Sequence, residues 1–137
     1  MYIVKINGSA TPNPGMRTIE IIVSEKNNII DEISKDMGSG TCHEAEYLAL
    51  IEGLKLAIAC ELTDSDIVFQ SDNQLVVFQV NGMYQVSKDT LKPLNTEARE
   101  LLSNFQSARV EWVPKKRIFK ATVIKDLEYM EPPASCA

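Results

Sequence analysis

At 137 residues, with 45% apolar and 24% charged positions, the chain is sized for one domain that buries a core without covalent staples. No apolar run reaches the ~20 residues of a membrane span, and the opening Met1-Tyr2-Ile3-Val4 lacks a secretory pattern, so neither a membrane protein nor a secreted one is expected. The net charge of −5 argues against a life built on bulk electrostatic attraction to nucleic acid. The charge is uneven, however, and Lys115, Lys116, Arg117 and Lys120 gather near the C-terminus, a cluster that by itself reads as a solvated face. Three cysteines, Cys42, Cys60 and Cys136, stand at unrelated spacings. They read as reduced thiols of a cytoplasmic protein, not as a disulfide frame or a zinc site.

Tyr2 to Ile6 reads as a strand with Tyr2, Val4 and Ile6 on one side, ended by Asn7-Gly8. Thr11-Pro12-Asn13-Pro14-Gly15 is a turn-forming loop in which Gly15 supplies a positive φ. The β-branched stretch Arg17 to Glu25 is a second strand, Asn27-Asn28 a tight turn, and Ile29 to Ser34 a third strand. Gly38-Ser39-Gly40 forms a flexible link into a helix from Thr41 to about Cys60. Thr41 and Glu44 there make a capping box, and Tyr47, Leu50, Ile51, Leu54 and Ile58 recur at helical spacing. Asp66 to Ser71 is a short buried strand reached by a helical crossover, hence parallel to the first. Two helices, Asn73 to Val80 and Pro93 to Phe105, precede a fifth strand, Ala108 to Val113. A last helix is expected over Ile118 to Met130. The order βββαβααβα predicts one α/β domain over residues 1–130, with a tail over 131–137. Its mixed five-stranded sheet has the first three strands antiparallel and the rest parallel, flanked by helices.

Three polar residues fall where α/β sheets place function, beyond the carboxyl ends of strands. Asn7 follows the first strand, Asp72 follows the fourth, and Glu46 lies one turn into the long helix, on the same side as Leu50, Gly53 and Ala57. Taken singly, Glu46 is either a solvated edge residue or a ligand, and Asp72 is an ordinary first-turn acid stabilised by the helix dipole. Adjacent first and fourth strands would bring all three together, and converging carboxylates are the hard oxygen donors that Mg²⁺ takes.

A longer set of stretches carries a resemblance. It comprises Asn7-Gly8-Ser9-Ala10, Asn13-Pro14-Gly15, Glu44 to Leu50, Ser71 to Val77, Gln79 to Tyr84, Leu91 to Leu94 and Trp112-Val113-Pro114. In that order they resemble ribonuclease H of the type 1 family, in its compact archaeal and Bacillus-like form. The resemblance implies an endonuclease that cuts the RNA strand of an RNA–DNA hybrid, using two Mg²⁺ (or Mn²⁺) ions ~4 Å apart on four carboxylates. Carried over by position, that quartet reads Asn7, Glu46, Asp72 and Thr122. Two carboxylates then stand where the family has four. Asn7 offers only a neutral amide oxygen and Thr122 only a hydroxyl, so metal held by Glu46, Asp72 and Asn7 is expected to bind weakly. Asp126 lies one turn beyond Thr122, ~5.4 Å along the expected helix, and takes its place only if that helix shifts.

The resemblance also implies a substrate surface made of Asn13, Thr41, Cys42, His43, Gln74, Lys115, Lys116 and Arg117. Cys42 and His43 stand where the family has two asparagines. His43, read from the residues alone, is an exposed first-turn residue, and Thr41 at a helix N-terminus suits a phosphate. The expected activity is binding of RNA–DNA hybrid or duplex RNA by a monomer, with cleavage impaired or lost. Two alternatives stay open. The first is an active Mg²⁺-dependent ribonuclease H, with Asn7 an introduced or compensated change. The second is a protein-interaction module on the same scaffold.

Overall fold

The structure, a computed structural model, describes residues 1–114. The expected last helix, the C-terminal tail, Thr122, Asp126 and the basic cluster lie outside the described residues. The elements are β1 (Tyr2–Thr11), β2 (Gly15–Glu25), β3 (Asn28–Gly40), α1 (Cys42–Ala59), β4 (Asp66–Ser71), α2 (Gln74–Val80), α3 (Lys92–Leu102) and β5 (Ser107–Trp112). The five strands lie in the order β3-β2-β1-β4-β5. β1 and β3 run antiparallel to β2, whereas β4 runs parallel to β1 and β5 parallel to β4.

The alternation of the strands decides the core. Val4, Ile6, Gly8 and Ala10 of β1 and Ile19, Ile21 and Val23 of β2 are buried, their neighbours less so. Over this face lies α1, with Tyr47, Leu50, Ile51, Leu54 and Ala57 almost fully buried. Ile67 and Phe69 of β4 extend the same apolar layer, and Phe105 meets Phe69 edge to face with ring centroids 5.7 Å apart. Such burial of large aliphatic and aromatic side chains is the main stabilising term, about 1.5–3 kcal/mol for each.

Three boundaries and the role of one glycine differ from the pattern-based expectation. β1 does not end at Asn7-Gly8 but runs on to Thr11, because β2 pairs with it as far as Thr11↔Met16. β3 likewise extends through the Gly38-Ser39-Gly40 stretch. Gly38 takes φ +75° there, next to a register shift opposite Met16 and Thr18. Lys26 and Asn27, with φ of 51° and 70°, form the two-residue turn, one position earlier than expected. Gly15 is needed for a different reason than positive φ, since a Cβ on it would strike the Pro12 backbone.

The three helices share a buried polar junction. The Tyr47 hydroxyl on α1 donates to Gln79 Oε1 on α2 at 2.7 Å, and Asn95 Nδ2 on α3 donates to the Tyr47 oxygen at 3.1 Å. Burial pushes the Tyr47 phenol above its ordinary pKa, so it remains a neutral donor. Tyr47→Phe strands Gln79 and Asn95 in the interior. A loss of about 1–3 kcal/mol is expected in urea unfolding, the desolvation penalty of buried groups left unpaired.

Candidate active site

The start of α1 is fixed by its own residues. Thr41 Oγ1 accepts from the Glu44 N–H at 3.2 Å, and Glu44 Oε1 accepts from the Thr41 N–H at 3.0 Å, the reciprocal pair expected from the sequence. Arg17 on β2 binds the same Glu44 oxygen at 3.3 Å while donating to the Met37 carbonyl on β3. Asn13, in the turn between β1 and β2, adds a cap from outside the helix, its Oδ1 accepting from the Cys42 N–H at 3.0 Å.

That fixed start sets Glu46 over the point where β1 and β4 part. Their register ends at Lys5↔Gln70. Beyond it, the Gly8 N–H donates to Glu46 Oε1 at 2.9 Å, and the Ser71 hydroxyl donates to Oε2 at 2.7 Å. The Ser71 oxygen in turn accepts from the Asn73 N–H at 3.0 Å. Glu46 is only 1% exposed, so these bonds replace the water it gives up. Gly8 permits this approach, because a Cβ there would overlap the Ala45 carbonyl and the Glu46 nitrogen.

Asn7 and Asp72 occupy matching positions, two residues beyond the last paired positions of their adjacent strands. Both are half-buried, and Asn7 faces Glu20 across the β1–β2 ladder. Asn7 therefore sits inside β1, not after it as expected. The structure brings the segments of Asn7, Glu46 and Asp72 to one place, as the adjacency of the first and fourth strands required. The Asp72 carbonyl accepts from the Trp112 indole N–H at 3.2 Å, which ties the end of β5 to this place.

A family model described as reverse transcriptase-like, the ribonuclease H-like domain, matches residues 7–124. The chain belongs to the ribonuclease H family. Ribonuclease HI of Halobacterium salinarum is 32% identical over 110 residues, which cover 80% of this chain and 54% of that protein. The bifunctional protein Rv2228c of Mycobacterium tuberculosis is 30% identical over 117 residues, covering 84% of this chain and 32% of that one. The chain thus spans about a third to a half of these curated relatives. Among solved structures, RNase H1 from H. salinarum superposes with a TM-score of 0.79 at 28% identity, covering 88% of this chain and 91% of the other. LC11-RNase H1 in complex with an RNA/DNA hybrid gives 0.80 at 26%, covering 89% and 91%.

Of the four positions that the resemblance assigns to metal, three lie among the described residues, and they offer two carboxylates, Glu46 and Asp72, and one amide, Asn7. Asn7 brings no charge, and both Glu46 oxygens already hold hydrogen bonds. Among the described residues no group of three His, Cys, Asp or Glu side chains is placed to hold a metal ion.

The expected substrate surface of this ribonuclease H relative is partly rearranged. Thr41 is half-buried and serves the capping box, while Gln74 is exposed. Cys42 corrects the expectation: its side chain is 1% exposed and packs inward near Asn13, so it presents no thiol to a ligand. His43 is half-buried, not an exposed first-turn residue, and its Nδ1 lies 3.0 Å from Asn73 Nδ2. Asn73 Oδ1 caps α2 through the Val76 N–H at 3.1 Å, which fixes the amide so that its nitrogen faces the imidazole. Nδ1 must then accept, and the ring is neutral with its proton on Nε2.

Burial first, and then the charge of Lys88, holds the His43 pKa below its ordinary 6.5. Well above pH 6.5 both folded and unfolded states are neutral there, and the ring adds no pH dependence. As pH falls below 6.5 the unfolded chain takes up a proton that the folded ring resists. Stability therefore drops until the folded ring protonates too. His43→Asn, which keeps an acceptor for Asn73, is expected to flatten this part of the acid slope. Urea midpoints of the two proteins above and below pH 6.5 check it.

Ser71 and Gly8 are the site residues that sequence reasoning missed. The signal for Ser71 was present: Ile67, Phe69 and Ser71 share the buried face of β4, and a hydroxyl there needs a partner.

Proposed function

We propose that this chain is a ribonuclease H domain that binds RNA–DNA hybrid, or a related duplex, as a monomer in the cytoplasm, and that its cleavage of the RNA strand is impaired. The observation that carries the reading is the neutral amide of Asn7 where a carboxylate would stand beside Asp72 and the fixed Glu46. Thr122 at the remaining position deepens the deficit. Affinity for Mg²⁺ or Mn²⁺ is low for the same reason, since oxygen donors without charge neutralise a divalent ion poorly. The binding half of the reading is supported by the hybrid complex of LC11-RNase H1, which is similar over nearly all of both chains. Exposed Gln74 supplies a polar contact along such a duplex.

The test is a labelled RNA–DNA hybrid incubated with the protein in Mg²⁺, in Mn²⁺ and in EDTA, with duplex binding followed in the same samples. Binding with little or no cutting is expected. Metal-dependent cutting at a rate typical of the family, abolished by Glu46→Gln, would overturn the impairment. Failure to bind any duplex at any salt concentration would overturn the nucleic-acid reading and leave a protein-binding scaffold.

A further inference from the structure

Trp112 is the only tryptophan of the chain and the last residue of β5. Tryptophan is highly buried on average, yet Trp112 is 40% exposed. Its polar end is already satisfied, because the indole N–H donates to the Asp72 carbonyl at 3.2 Å. The strand that carries it is fixed as well. Trp112 pairs with Ser71, and the next residue, Val113, donates its N–H to the Ser71 carbonyl at 3.0 Å. Ser71 is the residue whose hydroxyl holds Glu46. An aromatic surface of fixed orientation, with no free donor, thus stands open beside the candidate site.

We propose that Trp112 is a nucleic-acid contact, its ring packing against a backbone sugar of the hybrid strand that crosses Asp72. The inference rests on the hybrid-binding reading and names one contact within it. The chemistry suits this chain in particular. With a net charge of −5, it cannot draw much affinity from phosphate neutralisation, whereas packing of a ring against a sugar releases no counterion. Because the N–H is anchored to Asp72, a strand seated on the ring is also positioned relative to Asp72.

A sole tryptophan makes the test direct. Binding of a fluorescein-labelled RNA–DNA hybrid is followed by anisotropy. In parallel, unlabelled hybrid is titrated into the protein and Trp112 emission is read, with acrylamide quenching before and after. The proposal expects emission to change, and protection from acrylamide to appear, with the midpoint given by anisotropy. Trp112→Ala should bind about tenfold more weakly, with the slope of log affinity against log salt unchanged, and Trp112→Phe should recover part of the loss. Anisotropy that rises while Trp112 emission and quenching stay constant would overturn this proposal and leave hybrid binding standing. So would a folded Trp112→Ala of full affinity. An anisotropy that never rises would overturn the hybrid-binding reading, and the Trp112 contact with it.

Discussion

Gly8→Ala is expected to destabilise the protein by about 3 kcal/mol or more, a large part of the ~5–15 kcal/mol typical of a native domain. The added methyl would overlap the Ala45 carbonyl and the Glu46 nitrogen, which are helix backbone and have no rotamer to change. Neither side has room to retreat. β1 is held by β2 along its whole length and by β4 over Tyr2 to Lys5, while α1 carries the largest share of the buried core. Any shift that relieved the overlap would also stretch the Gly8–Glu46 hydrogen bond and leave a buried carboxylate short of a donor. Gly82→Ala is the control. A Cβ there meets nothing, but the residue has φ +80°, so only the left-handed strain of about 1 kcal/mol applies. Urea midpoints of the two variants measure both effects. A Gly8→Ala protein as stable as the Gly82→Ala protein would contradict the packing described.

The second large effect is chemical. Asn7→Asp is expected to raise metal-dependent cleavage of RNA–DNA hybrid by about a hundredfold over the unaltered chain. A divalent ion is worth several kcal/mol of charge stabilisation in the transition state, and recovering about 2.7 kcal/mol of it is a factor of about a hundred. The same substitution leaves a thermodynamic mark that needs no turnover. In EDTA it adds a carboxylate close to Asp72 and Glu46, and the like charges lower Tm. Added Mg²⁺ then raises Tm, since an ion bound only by the folded state stabilises it. The unaltered chain, with the neutral amide, should show little of either response. A chain that already cuts hybrid as fast as its Asn7→Asp variant would contradict the charge argument.

The legibility of this site in the sequence varied residue by residue. Glu46 was legible as a candidate because an acid beside the apolar stripe of a helix is conspicuous, and its 1% exposure overturns the solvated-edge reading that spacing left open. Asn7 and Asp72 were legible as neighbours once the first and fourth strands were paired, although Asn7 lies within β1. The substrate surface was read less well. His43 was placed outward because the first turn of a helix is normally wet, and Cys42 was placed on the substrate surface by the resemblance alone. Each is drawn inward by a partner from another segment, Asn73 for the imidazole and Asn13 for the Cys42 backbone.

What the sequence by itself determined was the order and kind of the elements and the inventory of charge. Alternation set the strands, a 3.6-residue period and the Thr41–Glu44 box set α1, and the amide of Asn7 and the hydroxyl of Thr122 carry no charge whatever the fold does. What only the tertiary structure decided was which groups hold one another. Glu46 bonds to Gly8 and Ser71, 38 and 25 residues away, and His43 meets Asn73 across 30 residues. Local periodicity carries no information about such pairs. They exist because β4 lies beside β1 with α1 packed across the junction. A donor and an acceptor remote in the chain become the cheapest partners for each other once water has been expelled from between them.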